Sequence, residues 1–182
     1  MKSNLKFMMA LALLFCIFTT QSLANNRTIR NGGIHGVRVG DPAEKIFSVF
    51  KSEYTINDTK GTDSARLITL QLGKKNIAKF TIDTKGKIFL IEVYADYVTQ
   101  ENIGCGSTLS EAISAYGKGK ITPTDEGYII EFQKKQGISF LLDNNDIPKE
   151  LRNIPDDVFT PEQGKNIMSI GRIRILATQI YR

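Results

Sequence analysis

ITLQLGKKNIAKFTID (Ile68 to Asp83) and YIIEFQKKQGISFLLD (Tyr128 to Asp143) carry one pattern twice, 60 residues apart. Lys74, Lys75, Phe80 and Asp83 recur as Lys134, Lys135, Phe140 and Asp143, while Leu70, Leu72 and Ile82 recur as Ile130, Phe132 and Leu142. In each stretch apolar residues alternate with polar ones up to the lysine pair and resume beyond it. That is the pattern of a β-hairpin with one face turned inward. Upstream of each hairpin stands a helix start. Asp41-Pro42-Ala43-Glu44 offers an acid at the N-cap, a proline at the first helical position and a glutamate three residues on, and Thr108-Leu109-Ser110-Glu111 opens a helix in the same way 67 residues later, with a hydroxyl cap and a glutamate at the same spacing. Ile46, Phe47, Val49 and Phe50, then Ile113, Ala115 and Tyr116, follow at helical spacing. Gly117 is placed to end the second helix in a left-handed conformation.

Downstream, the first copy turns at Thr84-Lys85-Gly86 and runs a third strand from Ile88 to Tyr94. The second copy is interrupted at that point by Pro148 to Asn166, rich in Pro, Asp and Glu, before a closing strand from Arg172 to Tyr181. The unequal spacings predict a longer linker after the first helix, placed at Asp58 to Ser64. The expected fold is α+β: two tandem helix plus antiparallel β-meander repeats packed into one domain. The repeats span residues 36–100 and 101–182, after a lead-in over 25–35, and the second carries a loop insertion at 148–166. One helix on three strands is marginal alone, and two copies packed together bury both apolar faces.

The N-terminus reads as an export signal. Lys2 and Lys6 precede an unbroken apolar run from Phe7 to Phe18, and Ser22-Leu23-Ala24 supplies small residues ahead of a cleavage point between Ala24 and Asn25. Twelve apolar residues reach only ~18 Å at ~1.5 Å per residue, short of a ~30 Å hydrocarbon core, so no integral span is expected after cleavage. Bulky Leu13-Leu14-Phe15 ahead of Cys16 does not fit a lipidation site. Export leaves Cys105 as the one thiol, and a secreted domain that avoids cysteine pairs is in keeping with the periplasm, with secretion beyond the cell as the alternative. The net charge is +5, two units of which belong to Lys2 and Lys6. With the remaining bases scattered along the chain, no nucleic-acid partner is expected.

A resemblance follows from several short motifs. Ile34-His35-Gly36-Val37 with Gly40-Asp41, the Gly-Lys-Ile strand start at Gly86 to Ile88, and the Ile103-Gly104 turn ahead of a second helix-meander resemble the sigma-E-regulated bacterial envelope lipoproteins of unknown function, over about residues 33–143. The chain departs from that family in lacking a lipobox and a cysteine pair after the second helix. The resemblance implies a fold and an envelope location, with no catalytic residue.

The search for chemistry is mostly negative. His35, the single histidine, sits in a glycine-flanked turn with no nucleophile placed beside it. Cys105 lies just ahead of the Thr108 helix start, where a helix N-terminus favours a thiolate, so it is a candidate reactive thiol, although no Lys, Arg or second Cys flanks it. Asp143-Asn144-Asn145-Asp146 resembles a calcium loop, yet Pro148 and Ile154 stand where an EF-hand needs Gly and Glu, so an Asx turn is expected. The glycine-rich helix starts match neither phosphate-loop pattern. No cofactor or metal is expected. The least explained stretch is the insertion. Val158 and Phe159 either plug the open end of the module or present an apolar tip beside the basic strand residues Arg172 and Arg174 as a partner-binding surface. Three functions remain open: a non-catalytic periplasmic binding or interaction module whose partner is an envelope component, an inhibitor or immunity protein against an envelope hydrolase, and an enzyme using Cys105 or the Asp156–Asp157 pair.

Overall fold

The computed structural model describes residues 27–61, 65–152 and 154–182. The expected leader and its cleavage point at Ala24 and Asn25 lie outside them. A short hairpin, β1 (Gly33–Ile34) and β2 (Val37–Arg38), leads into α1 (Glu44–Phe50) and the strands β3 (Thr55–Lys60), β4 (Arg66–Leu72), β5 (Lys75–Ile82) and β6 (Ile88–Val93). Then come α2 (Leu109–Tyr116), β7 (Gly119–Thr124), β8 (Gly127–Phe132), β9 (Ile138–Leu142), two short 3-10 turns, α3 (Pro161–Ser169) and β10 (Ile175–Ile180). The lead-in boundary drawn after residue 35 falls inside the β1–β2 turn, where His35 and Gly36 both have positive φ.

Strands β3 to β10 form one eight-stranded antiparallel sheet in the order β3-β4-β5-β6-β10-β9-β8-β7. Among the described residues the class is therefore mixed α and β, with a large antiparallel sheet and three helices. Each run of four strands is a meander, not the expected three, and the two runs meet where β6 pairs with β10. Two strands of this sheet, as well as the short β1–β2 hairpin, go beyond the sequence reading. Part of the expected linker, Asp58 to Lys60, belongs to β3, and residues 62–64 of it lie outside the described residues. Likewise β7 occupies Gly119 to Thr124. Both are edge strands, where one face of burial does not impose alternation.

Hydrogen bonds around the helix starts recur in order. Gly40 N–H donates to Ile88 O and Gly106 N–H to Ile175 O; Ile88 N–H donates to Asp41 O and Ile175 N–H to Ser107 O; Ala43 N–H donates to Gly86 O and Leu109 N–H to Ile173 O. At the other ends, Tyr94 N–H donates to Ile77 O and Tyr181 N–H to Gly137 O. By these bonds Asp41 corresponds to Ser107, not to Thr108. Asp41 accordingly does not cap α1. Its carboxylate accepts from Arg38 N–H and pairs with Lys45, which holds it below the usual carboxylate range. Thr108 does cap α2, exchanging a reciprocal box with Glu111.

The hairpins differ by a slip. Phe80 lies opposite Ile68, whereas Phe140 lies opposite Ile130, the residue matched at the sequence level to Leu70. The second turn, between Phe132 and Ile138, is longer than Gly73-Lys74, and a bulge at Leu70/Gln71 takes up only part of the difference.

All three helices lie on one face of the sheet. Phe50 of α1 packs on Phe80, Tyr116 of α2 stacks on Phe140 and meets Phe132, and Gly164 of α3 lies against Ile121. Beneath them runs a mostly apolar row across every strand: Ile56, Leu70, Ala78, Val93, Thr178, Phe140, Ile130 and Ile121. The neighbouring row on the opposite face is polar throughout: Asn57, Thr69, Lys79, Glu92, Gln179, Ser139, Glu131 and Lys120. The exposed Phe89 and Leu176 sit at register shifts, at Thr81/Ile82 and Ile175/Ala177, where a bulge turns a side chain outward.

Candidate ligand-binding groove

The insertion is not a bare loop. After a 3-10 turn at Lys149–Leu151 it builds α3, whose start repeats the grammar of α2: Thr160 caps, Pro161 opens the first turn, and Gln163 completes the box. One face of this helix meets the core through Ile167, and Met168 packs beside it. Phe159, just ahead of the cap, is half-buried, its ring 5.5 Å from that of Tyr128 and its edge against Gly164. Tyr128 in turn donates to Leu151 O at 2.6 Å and accepts from Ile154 N–H, tying the insertion to the sheet.

Between α3 and the edge strand β7 lies a groove of about 440 Å³. Ile121, Pro123, Phe159, Pro161, Gly164 and Met168 give it an apolar wall, and Lys120, Lys165, Asp156 and Thr122 supply its polar groups. Gly164 stands mid-helix, where glycine costs about 1 kcal/mol relative to alanine. Packing does not demand it. A methyl group there would meet Phe159 at 3.6 Å and Ile121 at 3.9 Å, both ordinary contacts. A second hollow of about 690 Å³ shares Gly119 and Lys120 with the first and adds Lys118, Lys135 and Arg182 around Glu131. Lys135 there is engaged with Glu101, whose carboxylate also accepts from Tyr116. Burial opposes ionisation of Glu101, but Lys135 and Tyr116 prevail and keep it below its ordinary value.

The four residues the sequence grouped as a partner surface have separate engagements. Val158 is 55% exposed at the tip before α3, while Phe159 lines the groove. Arg174 is committed to Asp146 at 2.8 Å and Asp143 at 2.9 Å, and Arg172 is exposed. Asp143 Oδ1 accepts from Asn145 N–H, so the acidic stretch is an Asx turn clamped by Arg174.

Cys105 is an exposed free thiol. Nearby protein mass pushes its pKa up, against a smaller opposing pull from Lys75, which is the reverse of thiolate activation. His35 packs edge-on against Phe50 and Tyr97, with ring centroids 5.5 and 5.7 Å away. Asp156 reaches the groove wall, and Asp157 is exposed in the turn before α3.

Sequence reasoning also missed a charged cluster on the open face. Lys79 forms a close ion pair with Glu92, a residue only 2% exposed, and Glu126 of the β7–β8 turn lies 3.8 Å from Lys79. Burial works against the Lys79 charge, but Glu92 overrides it and pushes the ammonium up to about 12. Burial and the adjacent Glu92 raise Glu126 above its ordinary value. The cluster is built from residues on three separate strands or turns, so no local motif announces it. Among the described residues no group of three or more His, Cys, Asp or Glu is placed to hold a metal ion, and no helix is long and apolar enough to cross a membrane.

No family model matches the chain, and no curated protein matches it. Among solved structures it is similar to the uncharacterized protein YfeY from Escherichia coli, with a TM-score of 0.56 at 13% identity over 80% of this chain and 92% of that one. At that identity the likeness is one of fold.

Proposed function

We propose that this chain is an exported, non-catalytic binding module of the bacterial cell envelope, acting in the periplasm and holding a partly apolar ligand between α3 and β7. The observation that carries the reading is the groove itself, a cleft of about 440 Å³ lined mainly by apolar residues, among which Phe159 and Met168 are only partly covered. Export is supported by the three-zone pattern of residues 1–24. The fold shared with YfeY is compatible with an envelope lipoprotein-like family, in line with the sequence resemblance. The module is further proposed to have arisen by tandem duplication. Its support is the recurring hydrogen bonds from Gly40 and Gly106 onward, together with the mirrored strand order on either side of the β6–β10 pair.

The inhibitor reading draws on one feature, the exposed Val158 at the tip beside Phe159. Affinity capture from envelope extract tests both readings, with proteins and lipids each identified and with Met168→Glu and Val158→Asp as separate controls. The groove reading expects a species that Met168→Glu loses and Val158→Asp keeps. A hydrolase lost on Val158→Asp favours the inhibitor. Identical captures from all three chains would overturn the groove.

A further inference from the structure

Independently of the groove, we propose a second site at the β1–β2 hairpin: an anion pocket in which Arg30 and Arg38 hold a phosphate group from opposite sides, with Thr28 and His35 beside them.

The register builds it. Arg30 bridges Gly33 through reciprocal backbone hydrogen bonds, and Gly33 pairs in turn with Arg38. Residues directly opposite one another in antiparallel strands turn their side chains to one face. Two strand spacings, roughly 10 Å, separate the arginine Cα atoms, and the residue between them has no side chain. The backbone dictates that glycine, because a Cβ at Gly33 would lie 1.9 Å from Val37 O. Two tight turns, with positive φ at Asn31 and Gly32 and again at His35 and Gly36, fold the segment back on itself. The result is a hollow of about 260 Å³ in which Thr28, Arg30, Asn31, His35 and Arg38 stand around a glycine floor, with no carboxylate in the lining.

Charge points the same way. Residues 25–40 hold three arginines and a histidine and no acid. Arg38 forms no ion pair among the described residues, and the carboxylate of Asp41, which accepts from the Arg38 backbone N–H, is paired with Lys45 at 2.8 Å. A further hollow of about 500 Å³ shares Thr28 and Arg30 with the first and adds Arg27, Gln100 and Asn102. Its one carboxylate, Asp96, is paired with Lys75 at 3.0 Å. Three guanidiniums therefore line the two hollows against a single acid that is already matched.

The arrangement selects the ligand class. One guanidinium answers a carboxylate in a bidentate pair, whereas two that close from opposite sides suit an anion with oxygens on every side and as many as two charges, as a phosphate group has. The larger hollow leaves room for the polar group that a phosphate ester carries. A soluble phosphomonoester and a phospholipid headgroup both offer this chemistry.

The test is calorimetric titration of the purified protein with inorganic phosphate, glycerol 3-phosphate and acetate at about 150 mM salt, where exposed charges more than about 8 Å apart are screened. Both phosphates are expected to bind saturably, one per chain, with acetate at least about tenfold weaker. Arg30→Gln combined with Arg38→Gln lowers phosphate affinity about tenfold or more, while Lys85→Gln with Lys149→Gln, an equal loss of charge at exposed positions elsewhere, leaves it within about twofold. Melting temperatures of both double variants report folding. Arg38→Lys keeps the charge without the fork, is expected to bind phosphate more weakly than the unmodified protein, and decides the matter if the arginine pair proves unstable. Flotation with phosphatidylglycerol and phosphatidylcholine vesicles separates the sources. Retention on the first alone, competed by glycerol 3-phosphate, makes the ligand a lipid headgroup; glycerol 3-phosphate binding without retention makes it a soluble ester. No saturable binding of either phosphate to the unmodified protein, acetate binding as tightly, or equal losses in the arginine and lysine pairs would overturn the assignment.

Discussion

Thr178 is the one polar residue in the row beneath the helices, and its Oγ1 is buried with no hydrogen-bond partner among the described residues. A buried hydroxyl left unpaired carries a desolvation cost that an apolar group of similar shape avoids. Thr178→Val is therefore expected to stabilise the fold by about 1 kcal/mol in urea unfolding, with an unchanged m-value. Glu126 presents a pH-dependent case. Its raised pKa means that the folded state prefers it protonated, so its contribution is neutral in acid and becomes unfavourable as pH climbs past the ordinary value of 4.5. Glu126→Gln should raise the melting temperature at pH 8 and leave it nearly unchanged at pH 4. Glu101 behaves oppositely. Its lowered pKa adds stability that is present above 4.5 and fades as pH falls below it, so Glu101→Gln should flatten the acid limb of the stability curve. Glu92 is buried with its charge matched to Lys79, and Glu92→Gln, which leaves that ammonium without its carboxylate, is expected to cost about 3 kcal/mol in urea unfolding.

At the level of elements, α3 is where sequence and structure part most instructively. Thr160-Pro161-Glu162-Gln163 is the same start signal that placed α2, and it was legible. The helix is masked because Gly164, Lys165 and Asn166 break the apolar periodicity and because the surrounding Pro and Asp residues read as loop. The cap is consequently a larger share of what holds this helix than of what holds α2. Thr160→Ala should cost about 1 kcal/mol and raise amide hydrogen exchange across Pro161–Ser169 more than the same change at Thr108 does across Leu109–Tyr116. The edge strands were hidden for a different reason. TINDTK of β3 is exposed at five of its six positions, and GKITPT of β7 contains the residues that punctuate loops. A strand bonded on one side only need not announce itself through alternation, so these two were recoverable from pairing alone.

On the scale of the molecule, the hairpins around Phe80 and Phe140 were legible because both strands of each lie inside the sheet, with one face against helices. Phe80 faces Ile91 on one side and Ile68 on the other, and Phe140 faces Thr178 and Ile130, so Phe140 lies opposite the residue matched in sequence to Leu70, not to Ile68. The groove was half legible. Phe159 was singled out as an apolar residue in an acidic insertion, but Ile121, Gly164 and Met168 join it only because the chain returns α3 to the far edge of the sheet. Arg174 drew attention as surface charge and is instead spent on the Asp143–Asp146 turn. The central claim is that a ligand lies between α3 and β7, and amide chemical shifts recorded during titration with the species captured from envelope extract test it most directly. The account predicts saturable shifts concentrated at Gly119–Thr122 and Pro161–Met168, absent in Met168→Glu. Shifts confined to other elements, or none at all, would contradict it.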